Sequence, residues 1–113
     1  MKLNDLLILG FSKNPYYFEI FKPEDINDEN FSINLEKNIW SYYSWMKIPV
    51  GEKRTIEGSY PMNTSQYLGG IIGVYNKKSI EQLNSMVFDL NDYIHKEGCK
   101  SSLTYPKLLV YSN

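Results

Sequence analysis

One segment of the sequence has a clear helical periodicity, and it constrains the fold more than any other feature. Between Ser79 and Glu97 the apolar residues recur at alternating spacings of three and four, at Ile80, Leu83, Val87, Leu90 and Ile94. Ser79 with Gln82 three positions later matches a capping box, and Gly98 stands where a left-handed cap ends a helix. The sequence therefore predicts a helix over 79–97, about 28 Å long, whose apolar face other elements must cover.

Aromatic and β-branched residues predict strands elsewhere in the chain. Leu6–Phe11 and Tyr16–Phe21 are apolar, strand-forming runs separated by the turn-forming residues 12–15. They predict a β-hairpin, and Pro23 follows its second strand. Further strands are predicted over 53–60, 67–75 and 103–111.

The segment 31–47 supports two interpretations. Its apolar residues alternate as in a strand at Phe31, Ile33 and Leu35. They also recur at helical spacing at Leu35, Ile39, Tyr43 and Met46. We favour a second helix over 34–46, ended by Pro49.

These elements predict an α+β fold in a single globular domain over residues 1–113. The expected architecture is a mostly antiparallel sheet on which the long helix 79–97 packs, together with the second helix 34–46. A chain of 113 residues can bury a core of its own, and 42% hydrophobic with 22% charged residues is typical of globular proteins.

Charge and cysteine content limit the classes of partner and the compartment. The formal net charge is -1, and only one of the twelve basic residues, Arg54, is an arginine, which weakens the case for a nucleic-acid partner. Cys99 is the single cysteine, which predicts a reducing, cytoplasmic location. The apolar run Leu6–Phe11 is too short for a signal peptide core, and nothing approaches a bilayer span, so we expect no membrane association.

Three patterns resemble metal, catalytic or phosphate sites, and each fails in detail. Oxygen ligands stand at calcium-loop spacing at Asp25, Asn27, Glu29 and Glu36, but Asn30 occupies the position of the turn glycine. His95 and Cys99 are four residues apart, but Gly98 between them ends the helix that would align them. Gly69, Gly70 and Gly73 lie inside an apolar strand and not at the start of a helix. We therefore expect no metal, cofactor, catalytic site or small-molecule substrate.

An acidic loop beside an aromatic patch is the best candidate for a binding site. The loop 23–30 contains four carboxylates and no basic residue, and the patch 40–45 contains two tryptophans and two tyrosines. Carboxylates attract a basic protein surface, and aromatic rings fill its pockets. We expect most of the patch to be core and one or two of its rings to be exposed. The candidate contacts are Glu24, Asp25, Asp28, Glu29, Tyr42 and Trp45, and the alternative is an ordinary solvated loop.

The chain also resembles a known type of protein. Its size, its lack of a catalytic motif, its acidic loop beside aromatic residues and its AT-rich composition, without alanine, are similar to those of small bacterial immunity proteins. These are encoded beside polymorphic toxins, including the toxins of contact-dependent growth inhibition. The resemblance implies a non-enzymatic inhibitor that binds a cognate protein toxin, often a nuclease, with one-to-one stoichiometry.

Two alternatives from other classes stay open. Lys13, Tyr16 and Tyr17 combine a cation with aromatic rings, as in small proteins that bind single-stranded nucleic acid or regulate its use. An enzyme built from scattered Asp, Tyr or Ser residues would leave no local motif, because catalytic groups need only meet in space.

Overall fold

A computed structural model describes residues 2–13, 16–26, 29–42, 47–53, 69–93 and 107–110. Within these ranges the chain forms seven strands, one α-helix and two single-turn 3-10 helices, Leu3–Asp5 and Pro23–Asp25. The strands are β1 (Leu6–Lys13), β2 (Tyr16–Phe21), β3 (Phe31–Asn34), β4 (Ile39–Tyr42), β5 (Ile48–Pro49), β6 (Gly69–Asn76) and β7 (Lys107–Val110). The helix, α1, is Ile80–Tyr93.

The strands form two sheets. The larger sheet has the order β6-β1-β2-β7, and the smaller has the order β3-β4-β5. Every described strand pair is antiparallel except β2 with β7, which is parallel. The α+β class and the mostly antiparallel sheet are therefore confirmed, as are the hairpin of β1 with β2 and the strand β6.

The larger sheet separates two apolar cores, one on each face. The core toward the small sheet contains Leu6, Ile8, Phe21, Trp40, Tyr42, Val50, Ile71 and Val74. The core toward α1 contains Leu9, Phe18, Ile20, Ile72, Tyr75 and Met86. Neighbouring residues of β1 and β2 alternate between the two cores, as side chains of a strand must. The central strands are consequently buried on both faces, with the small sheet on one and α1 on the other.

A β-bulge in β6 changes this alternation. Leu9 of β1 pairs with Gly73, whereas the next residue, Gly10, pairs with Ile71, so β6 has one extra residue at Ile72. Residues three apart on β6 consequently face the same core. The bulge brings Ile72 and Tyr75 together on the face covered by α1.

The second helix predicted over 34–46 is wrong for the part of it that the structure describes. Residues 31–42 form a hairpin in which β3 and β4 are antiparallel and the connection is residues 35–38. The alternation of Phe31 and Ile33 indicates the strand that the structure contains. Residues 43–46 lie outside the described ranges.

The turn between β3 and β4 explains why the strand pattern prevails. Asn38 has a φ of 57°, a left-handed conformation that asparagine adopts more readily than most residues. The side chain of Asn34 accepts a hydrogen bond from the amide of Lys37 at 3.1 Å, which closes an Asx-type turn. Two asparagines at turn positions therefore interrupt the helical spacing of the apolar residues.

Helix α1 begins as predicted. The amide of Gln82 donates to Ser79 Oγ at 3.2 Å, so Ser79 caps the first turn. The side chain of Gln82 reaches back further than a capping box requires, and its Oε1 accepts from the amide of Asn76 at 2.7 Å. The predicted residues 94–97 and the cap at Gly98 lie outside the described ranges.

Gly73 is the position in β6 where a side chain cannot be accommodated. A Cβ atom at Gly73 would lie 2.6 Å from Cζ of Tyr75 and would also meet its hydroxyl. We predict that Gly73→Ala lowers the free energy of unfolding by about 2 kcal/mol, because the Tyr75 ring must shift in a packed core. Urea denaturation measures this.

The background Tyr75→Leu provides the control for this substitution. Without the ring, the additional cost of Gly73→Ala should fall to well under half. An equal cost in both backgrounds would show that the strand itself, and not the ring, excludes the methyl group.

Candidate functional site

Tyr75 joins the sheet to helix α1 by a buried hydrogen bond. Its side chain extends across Gly73, and its hydroxyl donates to Asp89 Oδ2 at 2.6 Å. Both residues are buried, Tyr75 fully and Asp89 to all but 7% of its surface. A short hydrogen bond from a phenol to a carboxylate in such surroundings is among the stronger polar contacts in a protein.

Lys53 completes a polar network around the same carboxylate. Its Nζ lies 3.5 Å from Asp89 Oδ1 and 2.8 Å from Asp92 Oδ2, so it pairs with two carboxylates of α1. The ammonium also lies 5.7 Å from the ring centroid of Phe88, within range of a cation-π contact. The backbone of Lys53 forms an isolated bridge with Gly73.

The segment 50–53 connects the three layers of the fold. The Val50 amide donates to the carbonyl of Asn38 in the small sheet at 2.9 Å, and the Gly51 amide donates to the carbonyl of Val74 in β6 at 2.7 Å. Gly51 has a φ of 100°, and a Cβ there would lie 2.9 Å from Cδ of Gln82 on α1. The segment then ends at Lys53 on the carboxylates of α1, so it holds both outer layers to the edge of the larger sheet.

The electrostatics of the network keep Tyr75 and Lys53 protonated. Burial, and then the hydrogen bond to Asp89, raise the pKa of Tyr75 far above its ordinary value of 10.0. The hydrogen bond to Asp92 is the largest of the effects that raise the pKa of Lys53. A base or nucleophile at neutral pH needs a lowered pKa, and the pKa values of Tyr75 and Lys53 are raised. The contacts of the two side chains anchor α1 to the sheet and to the segment 50–53.

Helix α1 packs in a different rotation from the one its apolar pattern predicts. The predicted inner face contained Ile80 and Val87, but these are 77% and 53% exposed, and Phe88 is 66% exposed. Met86 and Asp89 are buried in their place. At 3.6 residues per turn, this is a rotation of roughly 70° about the helix axis.

The rotation follows from the polar network. Asp89 can reach Tyr75 and Lys53 only if its side of the helix faces the sheet, and Leu83 and Leu90 then pack at the margin of the core. The consequence is an exposed face on α1, hereafter the outer face, whose large apolar residues are Ile80, Val87 and Phe88.

Glu24 and Asp25, two exposed residues of the acidic loop, lie at the end of the sheet where α1 begins. β1 begins where its antiparallel neighbours β2 and β6 end. The 3-10 helix Pro23–Asp25 follows β2 closely, and α1 follows β6 after three residues. This end has carboxylates and lysines together, since Lys22 lies 3.5 Å from Glu24 and Lys78 lies 3.5 Å from Asp5. Paired charges of both signs make this end less acidic than the loop sequence indicates.

The six predicted contact residues differ in exposure to solvent. Glu24, Asp25 and Glu29 are exposed and accessible to a partner. Asp28 and Trp45 lie outside the described residues. Tyr42 is fully buried, with its ring centroid 6.4 Å from that of Phe31, so its side chain belongs to the core and has no surface to offer a partner.

Tyr42 is buried because residues 39–42 form a strand and not the predicted helix. In a helix, Trp40 and Tyr42 point to different sides, whereas in a strand two residues that are two apart share a face. Both rings therefore lie between the sheets, with Trp40 also fully buried. Among the described residues, its Nε1 is a buried polar atom without a hydrogen-bond partner.

The other sequence candidates are placed only in part. Lys13 pairs with Tyr16, and Ser12 with Tyr17, in the backbone register of the β1–β2 hairpin. Gly69, Gly70 and Gly73 lie within β6, as expected for a strand and unlike a phosphate loop. His95 and Cys99 lie outside the described ranges.

The sequence contained one signal for the network that pattern reasoning missed. Asp89 stands three residues after Met86 and one before Leu90, inside the arc of α1 that packs on the sheet. An acidic residue in such an arc requires a donor. Lys53 and Tyr75 have no local pattern, because the segment 50–53 and the bulge in β6 bring them to Asp89.

The network predicts a loss of stability in alkaline solution. Above about pH 10 the unfolded chain releases the Tyr75 proton while the folded chain keeps it, so the free energy of unfolding falls as pH rises. The raised pKa of Lys53 acts in the same direction, since its contribution is complete below its ordinary value of 10.5 and is lost above it.

Tyr75→Phe isolates the part due to the phenol. The variant lacks the phenol proton that the folded chain keeps and the unfolded chain releases. Its free energy of unfolding should therefore fall less steeply with pH, by about 1.4 kcal/mol per pH unit. Denaturation curves of both proteins between about pH 8 and 11 measure it, and parallel declines would show that Tyr75 ionises equally in both states.

Further properties of the described residues give no more specific indication. None of their helices is long and apolar enough to cross a membrane. In the same part of the chain, no three His, Cys, Asp or Glu side chains are grouped to hold a metal ion. Comparisons with protein-family models, curated proteins and solved structures find no match for this chain.

Proposed function

We propose that this chain is a non-enzymatic binding protein that neutralises a cognate bacterial protein toxin by one-to-one binding. The observation that carries the proposal is the outer face of α1. Ile80, Val87 and Phe88 are each more than half exposed on one helix. Single exposed apolar residues are common, but a group of large ones on a rigid element is typical of an interaction surface.

The rigidity of α1 supports binding by this face. Tyr75 and Lys53 fix the helix from its inner side through Asp89 and Asp92. A surface held in one arrangement loses little conformational entropy when a partner docks. Phe88 in addition has the Lys53 ammonium near its ring, which restricts the ring before binding.

The state of the polar network supports binding over catalysis. The buried phenol of Tyr75 and the buried carboxylate of Asp89 are already paired with each other, and Lys53 pairs with Asp89 and Asp92. The raised pKa values of Tyr75 and Lys53 keep the phenol and the ammonium protonated. Their chemistry is thus used to orient α1.

The exposed carboxylates provide a second contact region. Glu24 and Asp25 lie at the end of the sheet where α1 begins, so a partner that covers the first turns of the helix can also reach the loop. A toxin with a basic surface, such as a nuclease, has the matching charge. Asp28, Glu29 and Trp45 stay candidate contacts on the sequence pattern alone. The resemblance to immunity proteins gives the proposal its biological setting, a toxin neutralised in the cytoplasm.

The double variant Ile80→Ser with Phe88→Ser tests the proposal. We predict that it weakens binding to the partner at least tenfold, because each residue is expected to contribute about 1 to 3 kcal/mol as a buried contact. The partner is identified by stoichiometric capture on the tagged chain in the native host, and affinity is then measured with the purified proteins. Growth protection against the same partner, expressed as a toxin, should be lost in parallel.

The double variant Glu36→Ser with Lys37→Ser is the matched control. Both residues are exposed on the β3–β4 turn, away from α1, and should leave affinity and protection unchanged. Equal affinity of the α1 variant and the control variant, with both still folded, would refute binding by the outer face. A wild-type chain that gives no growth protection against the captured partner would refute the toxin-neutralising role.

A further inference from the structure

We infer that α1 can pack on the sheet in two rotations about its own axis, and that Lys53 selects the rotation that displays the outer face. In the first rotation, which the structure contains, Asp89 faces the sheet. In the second, Ile80 and Val87 would face it, as the apolar pattern of the helix predicts. The inference makes the binding surface conditional, and it rests on the proposed function for its biological meaning.

The two rotations share part of their contact surface. Leu83 and Leu90 are half-buried and pack at the margin of the core. At about 100° per residue, both leucines lie between the side of α1 that is now buried and the side that contains Ile80 and Val87. A turn of roughly 70° therefore exchanges the flanking residues while both leucines stay against the sheet.

Apolar burial favours the second rotation. It would cover Ile80 and Val87, which are 77% and 53% exposed, and it would uncover Met86, which is 6% exposed. Two apolar side chains would leave water and one would enter it, and the Asp89 carboxylate would regain its hydration. Polar contacts therefore supply the preference for the first rotation.

Lys53 supplies the part of these contacts that solvent can reach. Tyr75 holds Asp89 from inside the core, whereas Lys53 comes from the segment 50–53 and its side chain is 35% exposed. Removing one partner of a buried ion pair leaves an uncompensated charge, which is strongly unfavourable. Loss of the Lys53 charge, or of its ion pairs, would therefore turn Asp89 outward without any change inside the core.

The choice of rotation sets the affinity of the outer face. Ile80 and Val87 are accessible to a partner in the first rotation and covered in the second. The apparent dissociation constant is the intrinsic one divided by the fraction of chains in the first rotation. Lys53 is thus a positioning residue, because it acts through Asp89 on residues that would touch the partner.

Thiol labelling in Lys53→Gln tests the inference. In a Cys99→Ser background, single cysteines replace Met86 or Val87. We expect Lys53→Gln to slow labelling at 87 about tenfold and to speed labelling at 86, whereas Lys53→Arg should keep the wild-type order. Lys37→Gln removes the same charge from the exposed β3–β4 turn and should change neither rate. Faster labelling at both positions would show a loosened helix, and unchanged rates would show that Lys53 does not select the rotation. Either result overturns the inference.

A second substitution keeps the test decisive if Lys53→Gln lowers stability. Ile80→Ser removes apolar burial from the second rotation, so adding it to Lys53→Gln should restore fast labelling at 87 and slow labelling at 86. A helix that is merely destabilised would gain nothing from another polar substitution, and failure of this rescue overturns the inference.

The same measurements separate the inference from the proposed function. Exchange of the two labelling rates in a chain that binds no protein partner would refute the proposed function alone. Partner binding by the wild type, with labelling rates that Lys53→Gln leaves unchanged, would refute this inference alone.

Discussion

The hydrogen bond from Tyr75 to Asp89 is the interaction on which the rest of this structure depends. A buried carboxylate requires compensation, and here it comes from a phenol on the sheet and an ammonium from a neighbouring segment. Asp89 accordingly turns its side of α1 inward. The bulge at Ile72 and the absence of a side chain at Gly73 let the Tyr75 ring lie where its hydroxyl can reach the helix.

The orientation of α1 connects this internal chemistry to the surface. If hydrophobic burial alone decided the rotation, Ile80 and Val87 would cover the sheet together with Leu83 and Leu90. Ile80 and Val87 instead stay 77% and 53% exposed, which costs about 1 to 2 kcal/mol for each relative to full burial. The polar network and the packing of Met86 offset this cost, and the outer face is the result.

Much of the fold could be predicted from local patterns. The β1–β2 hairpin, the strand β6 and the capped start of α1 each have a periodicity or a turn sequence in a short window. The hairpin of β3 and β4 was mistaken for a helix because Leu35 and Ile39 satisfy both periods, and Asn38 decided between them by its left-handed conformation. That error also placed Tyr42 on the surface. The site was less predictable, since Lys53, Tyr75 and Asp89 are distant in sequence and meet only through the bulge and the segment 50–53.

The rotation of α1 is the central claim, and thiol accessibility measures it most directly. In a Cys99→Ser background, single cysteines replace Met86 and Val87, and the labelling rates of the two folded variants are compared. The structure predicts fast labelling at 87 and slow labelling at 86, and Tyr75→Phe should reduce the difference. Slow labelling at 87 with fast labelling at 86 would show that the apolar pattern alone orients the helix, and would contradict this account.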